Sequence, residues 1–282
     1  MSWQAFQAHL LIELQTELGH KWDGLTIALS WLGNYTTYLY LVTALIIIMG
    51  TDFALETGIL ALLAMVSADV LKLLFLTQRP YETAFPIRSL YQDSAAGASF
   101  PSGHAEVATA VYAHFAFFLR RRAYPWWGLL LVIPVLIGFS RLYLGVHWPI
   151  DVFSGWVFGW VLFELTIRRP GILGSRHHFG ILSPLWWMII LLISTISHFG
   201  LDTTDMLRFV ATFSLSAYFA PAIGVVTSAR HLLLRSVFVI VPMLLMQLTL
   251  RDIPLNDVHP LLMMAFGGWL GMVGFVFQCV KI

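Results

Sequence analysis

Apolar runs, each close to the roughly 17 to 25 residues that an α-helix needs to cross a bilayer, follow one another along most of this chain. Hydrophobic residues make up 59% of the 282-residue sequence and charged residues 11%, against about 25% charged residues in ordinary soluble domains. One soluble core cannot bury so many apolar side chains. The sequence therefore predicts an all-α fold, a polytopic bundle of membrane-spanning helices.

Nine such runs can be counted. The first is interrupted by small and polar residues between Gly33 and Thr37, so eight is the alternative count. The predicted spans are 25–49, 54–76, 103–119, 126–144, 150–168, 181–199, 206–226, 232–249 and 259–280.

Basic residues lie in short clusters between the runs, at Arg120 to Arg122, Arg168 to Arg176 and Arg230 to Arg235. Clusters of this kind mark the cytoplasmic side of a membrane protein. We therefore expect the N-terminus outside, the C-terminus in the cytoplasm, and the connections 77–102 and 145–149 on the extracytoplasmic face. In a bacterium the membrane would be the inner membrane.

The N-terminal segment, residues 1–23, has a different pattern. It carries Glu13 and Glu17 and lacks a basic region before a short apolar core, so we expect no cleaved signal peptide. Its apolar residues recur at helical spacing, which predicts an amphipathic helix on the membrane surface. These residues are Trp3, Phe6, Leu10, Leu11, Leu14 and Leu18.

A first group of charged residues lies at the end of the second span. Lys72 and Arg79 are seven residues apart, so a helix that continues to Pro80 would place both cations on one face. Taken alone, two basic residues at a membrane boundary also fit side chains that extend to the lipid headgroups. Asp69, three residues before Lys72, is expected to pair with it along the helix.

A second group opens the third span. Ser102 and Gly103 at a helix start present a hydroxyl and backbone N–H groups to an anion, and the helix dipole favours negative charge there. His104 follows in the first turn, where a lone histidine is more commonly a capping residue. Glu106 points to another side of the same helix, and either a substrate contact or an interhelical hydrogen bond would suit it.

A third group lies between the fourth and fifth spans. Arg141 stands six residues before His147, and Asp151 follows His147 by four. If 147–151 forms a helical turn, Asp151 lies beside His147. A carboxylate on one imidazole nitrogen fixes the tautomer and leaves a lone pair on the other nitrogen, as a nucleophilic histidine requires.

Together the three groups resemble the signature of the type-2 phosphatidic acid phosphatase (PAP2) superfamily. The resemblance covers residues 72–151 and implies a PAP2-like helical core with phosphatase activity. The span layout is more similar to the glucose-6-phosphatase branch than to the six-span lipid phosphatases. The matching motifs are Lys72 to Arg79-Pro80, Pro101-Ser102-Gly103-His104, and Ser140-Arg141 through Gly145, His147 and Asp151.

The resemblance implies that Lys72, Arg79 and Arg141 hold the phosphoryl oxygens, with help from Ser102 and the Gly103 amide. Phosphoryl transfer is catalysed mainly by positioning and by neutralising the charge on these oxygens. Three fixed cations can supply that charge without a metal ion.

The resemblance also assigns the acid–base roles. His147 attacks phosphorus, and Asp151 orients it. His104 protonates the leaving oxygen and then activates the water that hydrolyses the phosphohistidine.

No cofactor is expected, and no cluster in the sequence has the spacing of a catalytic divalent metal site. The net charge of +1 is too small to suggest a nucleic-acid partner. The single cysteine, Cys279, cannot form a disulfide or a thiolate metal site within the chain.

The expected function is therefore metal-independent hydrolysis of a lipid or polyprenyl phosphate monoester or diphosphate at the extracytoplasmic face, through a phosphohistidine. A sugar-phosphate phosphatase or a lipid phosphotransferase would share the same motifs. A transporter or flippase is the alternative from another class, but the ionisable residues cluster at one membrane face and no internal repeat is present.

Three segments follow from these predictions. Residues 1–23 form the interfacial helix, 24–170 the catalytic membrane core with the three motifs, and 171–282 additional spanning helices that pack on the core. The expected partners are the lipid bilayer and a phosphorylated lipid or small phosphomonoester, and the sequence carries no signal for an oligomeric state.

Overall fold

The structure is a computed structural model, and it describes residues 2–168, 203–204, 207–212, 215, 229–249 and 264–270. These residues form helices and no strand, as predicted. The chain divides into two compact units, one comprising Met1–Thr37 with Leu63–Arg168 and the other Tyr38–Leu62 with Arg169–Ile282. The first unit contains all three motifs.

Eight α-helices provide the frame of the described residues. They are α1 Trp3–Leu18, α2 Asp23–Trp31, α3 Tyr35–Ile48, α4 Thr51–Phe75, α5 Gly103–Arg121, α6 Val132–Tyr143, α7 Pro149–Arg168 and α8 Ala229–Thr249. Short 3₁₀ turns lie at Pro80–Glu82, Gln92–Ser94 and Pro125–Leu131.

Three described stretches are long and apolar enough to cross a membrane: Thr51–Glu82, Pro125–Tyr143 and Pro149–Arg168. They correspond to the second, fourth and fifth predicted spans. The first predicted span is a broken pair, α2 followed by α3, which passes the same test only when the two helices are taken together. The protein is an integral membrane protein with three or four candidate spans in its described part, and the count of nine stays a prediction.

The third predicted span, 103–119, forms the helix α5, but α5 is not among the described helices that are apolar enough to qualify alone. Its sequence carries His104, Glu106 and His114, all of them largely removed from solvent. The predicted spans 181–199, 206–226 and 259–280 lie wholly or mostly outside the described residues, as does Cys279. Span 232–249 corresponds to α8.

Helix α1 is present, and its predicted apolar residues divide into two groups. Leu11, Leu14 and Leu18 pack against the core of the unit, whereas Trp3, Phe6 and Leu10 are exposed. The buried residues are Gln7, Ala8, Leu11 and Gln15, whereas the aromatic residue Trp3 is 63% exposed. The two buried glutamines bond to the backbone of the same unit, Gln7 to the Ile150 amide and Gln15 to Arg88 and Tyr143. The membrane-surface location of this helix remains a prediction.

The connection from Lys72 to Arg79 differs from the sequence expectation. Helix α4 ends at Phe75, and Leu76 has a left-handed backbone with φ 45°. Arg79 is extended, and Pro80 begins a short 3₁₀ turn instead of ending α4. Lys72 and Arg79 therefore lie on two sides of a helix end, and helical periodicity does not relate their positions.

Helices α5 and α7 pack at close range through two glycines of α7. A Cβ atom on Gly155 would lie 2.6 Å from the Ser102 carbonyl oxygen, and one on Gly159 would lie 2.3 Å from the Glu106 carbonyl oxygen. No side chain larger than hydrogen fits at either place. This packing brings the second motif, at the start of α5, against the third motif, at the start of α7.

The described part of the second unit has a similar close contact. A Cβ atom on Gly267 would lie 2.3 Å from the Phe209 carbonyl oxygen. Gly267 therefore packs closely against the backbone at Phe209, where only a glycine fits.

Candidate active site

His147 and Asp151 lie together, as predicted, although His147 precedes α7. The imidazole Nδ1 is 3.5 Å from Asp151 Oδ2, and both side chains are almost completely buried. This separation is longer than a well-formed N–H···O hydrogen bond. Of the two ring nitrogens, Nδ1 faces the carboxylate.

The Asp151 carboxylate is fixed by two donors that are not part of the sequence prediction. Asp151 Oδ2 accepts a hydrogen bond from Ser99 Oγ at 2.5 Å and one from the Trp148 amide at 2.8 Å. The Asp151 backbone oxygen also accepts the Ser102 amide at 3.0 Å. Asp151 thus joins the second motif to the third through both its side chain and its backbone.

Arg79 is 1% exposed and uses all five of its N–H groups on protein acceptors. Its Nε bonds to the Gly97 carbonyl at 2.9 Å, and its Nη2 bonds to the carbonyls of Ala96 and Ala98. Its Nη1 bonds to the Val146 carbonyl at 2.7 Å and lies 3.3 Å from His147 Nε2. An arginine can only donate, so this last contact requires a lone pair on Nε2 and a proton on Nδ1.

Arg141 is completely buried and is held by hydroxyl groups from two sides. Its Nη1 donates to Ser30 Oγ and, at 2.8 Å, to Ser94 Oγ. Its Nη2 donates to the Ser94 carbonyl at 3.1 Å. Within the described residues its Nε makes no hydrogen bond, so this donor can take a ligand.

Lys72 pairs with Asp69 at 3.7 Å, which confirms the predicted pair. Its Nζ lies 3.8 Å from the place where a Cβ on Gly103 would stand, directly over the start of α5. The Glu106 carboxyl is fully buried, with Ser67, Lys72 and Asp69 as its polar neighbours. The Asp69 carboxylate is therefore the ion-pair partner of the Lys72 ammonium in this part of the site.

The start of α5 lies next to these cations. Ser102 is fully buried, and its Oγ makes no hydrogen bond within the described residues. The first amides of an α-helix have no acceptor inside the helix, so they can bind an anion at this end. His104 Nε2 likewise makes no hydrogen bond within the described part of the chain. His104 also lies within electrostatic range of three cations, Arg141, Lys72 and Arg79.

His147 lies in a buried and positively charged environment. Burial, and then the guanidinium groups of Arg79 and Arg141, hold the pKa of the His147 imidazole well below its ordinary value. The ring is therefore neutral at neutral pH. A neutral imidazole with its proton on Nδ1 is the nucleophilic form.

Among the described residues, no group of three or more His, Cys, Asp or Glu side chains is arranged to hold a metal ion. The positive charge in the site comes from three basic side chains.

Comparison with known proteins agrees with this geometry. The sequence profile of the PAP2 superfamily matches residues 53–172. An undecaprenyl-diphosphatase of Sulfolobus acidocaldarius is 31% identical over 153 residues, which cover 53% of this chain and 72% of that protein. The chain belongs to the PAP2 superfamily. It is a phosphatase.

Two further relatives match shorter stretches of the PAP2 chain. Phosphatidylglycerophosphatase B of Bacillus subtilis is 42% identical over 78 residues, 24% of this chain and 37% of that protein. Undecaprenyl-diphosphatase BcrC of Bacillus subtilis is 31% identical over 119 residues, 42% of this chain and 58% of that protein. No solved structure matches the chain.

The PAP2 motif residues lie close together, but three serines that hydrogen-bond to them were not predicted. Ser99, Ser94 and Ser30 bond to Asp151 or Arg141 and lie outside the motifs. Ser94 and Ser99 belong to the polar connection between the first two motifs. No spacing rule connects them to residues about fifty positions away, so only the folded chain identifies them.

Proposed function

We propose that this PAP2 protein hydrolyses a phosphorylated membrane lipid, a polyprenyl diphosphate or a phospholipid phosphate monoester, through a phosphohistidine on His147. The observation that carries the proposal is the geometry of His147. Its Nδ1 faces Asp151, its Nε2 faces Arg79, and the ring lies among three cations. A nitrogen lone pair held in a cationic pocket suits attack on a phosphate ester.

Substrate binding would first redirect Arg79. The Nη1 group that lies 3.3 Å from His147 Nε2 donates instead to a phosphoryl oxygen, and the lone pair on Nε2 becomes free. Lys72, the unpartnered Nε of Arg141 and the first turn of α5 receive the remaining oxygens. The four other N–H groups of Arg79 stay on the backbone, so the guanidinium keeps its place.

In the first chemical step, the His147 Nε2 lone pair forms a bond to phosphorus and the bond from phosphorus to the leaving oxygen breaks. His104 gives its proton to that oxygen. The negative charge of the bound phosphoryl group favours the protonated form of His104. Asp151 stabilises the positive charge that develops on the His147 ring.

In the second step, neutral His104 takes a proton from water as the water oxygen attacks phosphorus. The phosphorus–nitrogen bond breaks, and its electron pair returns to His147. Inorganic phosphate leaves, and His104 holds the proton needed for the next leaving group. No metal ion takes part, because the three cations supply the charge that stabilises the transition state.

The lipid substrate is proposed from the names of the relatives, which act on undecaprenyl diphosphate or phosphatidylglycerol phosphate. These names favour a lipid over the sugar phosphate that the span layout suggested. The proposed extracytoplasmic location of the site is supported by the basic clusters at Arg120 to Arg122 and after α7, which favour the cytoplasmic side for those connections.

Phosphate release from the purified protein tests the proposal. The substrates are undecaprenyl diphosphate, phosphatidic acid, phosphatidylglycerol phosphate and glucose 6-phosphate, each assayed with and without chelator. We expect release from at least one lipid, insensitivity to chelator, and inhibition by vanadate, a mimic of five-coordinate phosphorus. Hydrolysis of glucose 6-phosphate alone would refute the lipid substrate, and loss of turnover in chelator that magnesium restores would refute the metal-free mechanism.

A further inference from the structure

Helix α2 and the break that follows it lie before the segment that matches the PAP2 superfamily, yet they lie against side chains of two motifs. We infer that α2 and the break after it form one wall of the catalytic pocket, in which Ser30 is a positioning residue for Arg141 and Gly33 provides the space that His104 occupies. The inference rests on the proposed function, since it concerns the same phosphate site.

One face of α2 contacts residues of the third motif at both ends of the helix. Asp23, Ile27 and Ser30 are spaced i, i+4 and i+7, so they lie on the same side of the helix. The Asp23 carboxylate accepts hydrogen bonds from the Tyr143 hydroxyl and from Arg88. Ile27 packs against the buried cluster that contains Tyr143. The contacts continue two turns on, where Ser30 reaches Arg141.

Ser30 provides a fixed acceptor for the guanidinium of Arg141. Both residues are completely buried, and Arg141 Nη1 donates to Ser30 Oγ and to Ser94 Oγ. The two hydroxyls come from different parts of the chain, so they hold Nη1 from two directions. This leaves Nε as the donor for phosphate, and its direction depends on the plane that the two serines set.

Gly33 lies at the break between α2 and α3. A Cβ atom on Gly33 would lie 2.8 Å from His104 Cδ2, 3.1 Å from His104 Cβ and 2.8 Å from Ile137 Cγ2. Two of these atoms belong to the imidazole side chain that is proposed to protonate the leaving group. Any larger residue at this position would displace it.

The non-helical backbone between α2 and α3 fits a position beside a functional site of a membrane protein. Non-helical backbone at membrane depth is tolerated where it is buried in protein or lines a cavity. Here the break is closed locally, since the Gly33 amide bonds to the Ser30 carbonyl at 2.9 Å and Thr37 Oγ1 bonds to the Trp31 carbonyl at 2.6 Å. The interruption that made the first span irregular in the sequence is thus the part of it that touches the catalytic residues.

Removal of the Ser30 hydroxyl tests the first half of the inference. Ser30→Ala is compared with Thr26→Val, which removes a buried hydroxyl from the same helix. Thr26 Oγ1 bonds only to backbone carbonyls of that helix and its cap. The measurements are the dissociation constant for vanadate, from thermal-shift titration of the purified protein, and kcat and KM for p-nitrophenyl phosphate.

We expect Ser30→Ala to weaken vanadate binding and raise KM by about three- to tenfold, because one of two acceptors that orient a charged donor is lost. We expect Thr26→Val to stay within about twofold of the unchanged protein, since it keeps every contact with the site. Equal vanadate affinity in Ser30→Ala and the unchanged protein would overturn the positioning role. So would an equal loss in both variants, because the effect would then come from the helix and not from Arg141.

A methyl group at Gly33 tests the second half. Gly33→Ala is compared with Gly24→Ala in the first turn of α2, where an added Cβ meets no atom within 4 Å. Because His104 serves the leaving group, Gly33→Ala should lower kcat for an alkyl phosphate at least about tenfold and affect p-nitrophenyl phosphate less. Unchanged kcat for both esters, or an equal loss in Gly24→Ala, would overturn this half.

Failure of the proposed function gives a different result. In that case the unchanged protein itself releases no phosphate and binds no vanadate, and the inference about α2 falls with it. Failure of the inference alone leaves the unchanged protein fully active and only the comparisons between variants negative.

Discussion

Ser99 is the residue whose loss the structure connects most directly to the rate of phosphoryl transfer. Its hydroxyl donates to Asp151 Oδ2 at 2.5 Å, and that oxygen is the one that faces His147 Nδ1. Ser99→Ala leaves the carboxylate with the Trp148 amide as its other donor. The carboxylate is then less well oriented when the His147 ring becomes positively charged.

The magnitude follows from the kind of hydrogen bond that is lost. A hydrogen bond to a charged group contributes about 1.5–3 kcal/mol, and 1.4 kcal/mol corresponds to about tenfold in rate. Because the Trp148 amide still holds Oδ2, the lower part of this range applies. We expect kcat to fall about tenfold and KM to change less than about twofold, since Ser99 touches none of the three basic residues proposed to bind phosphate.

Steady-state kinetics with p-nitrophenyl phosphate measures both constants, and Thr109→Val is the matched control. Thr109 is also buried and carries a hydroxyl, which bonds to the Ala105 carbonyl within α5 at 2.7 Å. It should keep full activity. A normal kcat in Ser99→Ala would show that the Asp151 carboxylate needs no second donor, and a raised KM with normal kcat would show that Ser99 acts on the substrate instead.

Three other measurements address the electrostatics, packing and topology of the chain. The lowered pKa of His147 keeps the nucleophile neutral until the pH falls well below 6.5, so the acid limb of the kcat/KM profile, corrected for the titration of the substrate, should lie below that value. An acid limb above pH 6.5 would contradict the neutral, buried imidazole. Gly159→Ala should lower the unfolding free energy by at least about 1–3 kcal/mol, because its Cβ would meet a backbone oxygen of α5 at 2.3 Å, whereas Gly128→Ala meets nothing within 4 Å and should unfold at an unchanged temperature. In a background without the native cysteine, a cysteine at the 82% exposed His20 should react with an impermeant reagent from outside and one at the 53% exposed Tyr124 only from the cytoplasm, and the reverse pattern would refute the orientation.

The sequence predicts the motif residues and their convergence well, because their chemistry is strongly constrained. His147, Asp151 and Arg79 have few reasons to stand at these spacings other than a phosphate site, and they lie together in the structure. The Lys72–Asp69 pair follows from helical spacing and is confirmed. The sequence also predicts the helical fold, because the apolar runs leave no other way to satisfy the backbone in a bilayer.

The end of α4 was not predictable from the same pattern. Residues 73–76 are apolar and the first proline is Pro80, so the sequence favoured a helix that reaches Arg79. The helix ends at Phe75 instead, and the extended Arg79 is fixed by carbonyl groups of residues 96–98 and 146. Hydrogen bonds to backbone acceptors that far along the chain cannot be predicted from the spacing of neighbouring residues. The tertiary hydrogen bonds of one arginine therefore override the local helical pattern.

The serines that hydrogen-bond to the motif side chains were not predicted, because they too are far along the chain from their partners. Ser30 lies 111 residues from Arg141, and Ser99 lies 52 residues from Asp151. Serine is common in connections and helix ends, so its presence there predicts nothing specific. Gln15, which bonds to the backbone of Arg88 and Tyr143, was likewise not predicted. The apolar residues of its helix indicated a location on the membrane surface instead.

The central claim is that His147 carries the phosphoryl group and His104 serves the leaving group and the water. Rapid-quench experiments with labelled p-nitrophenyl phosphate test it, because a phosphohistidine is stable to alkali and labile to acid. We predict that His147→Ala forms no such adduct. His104→Ala should form it and hydrolyse it slowly, since the activated leaving group needs little protonation. An adduct in His147→Ala and none in His104→Ala would contradict the account.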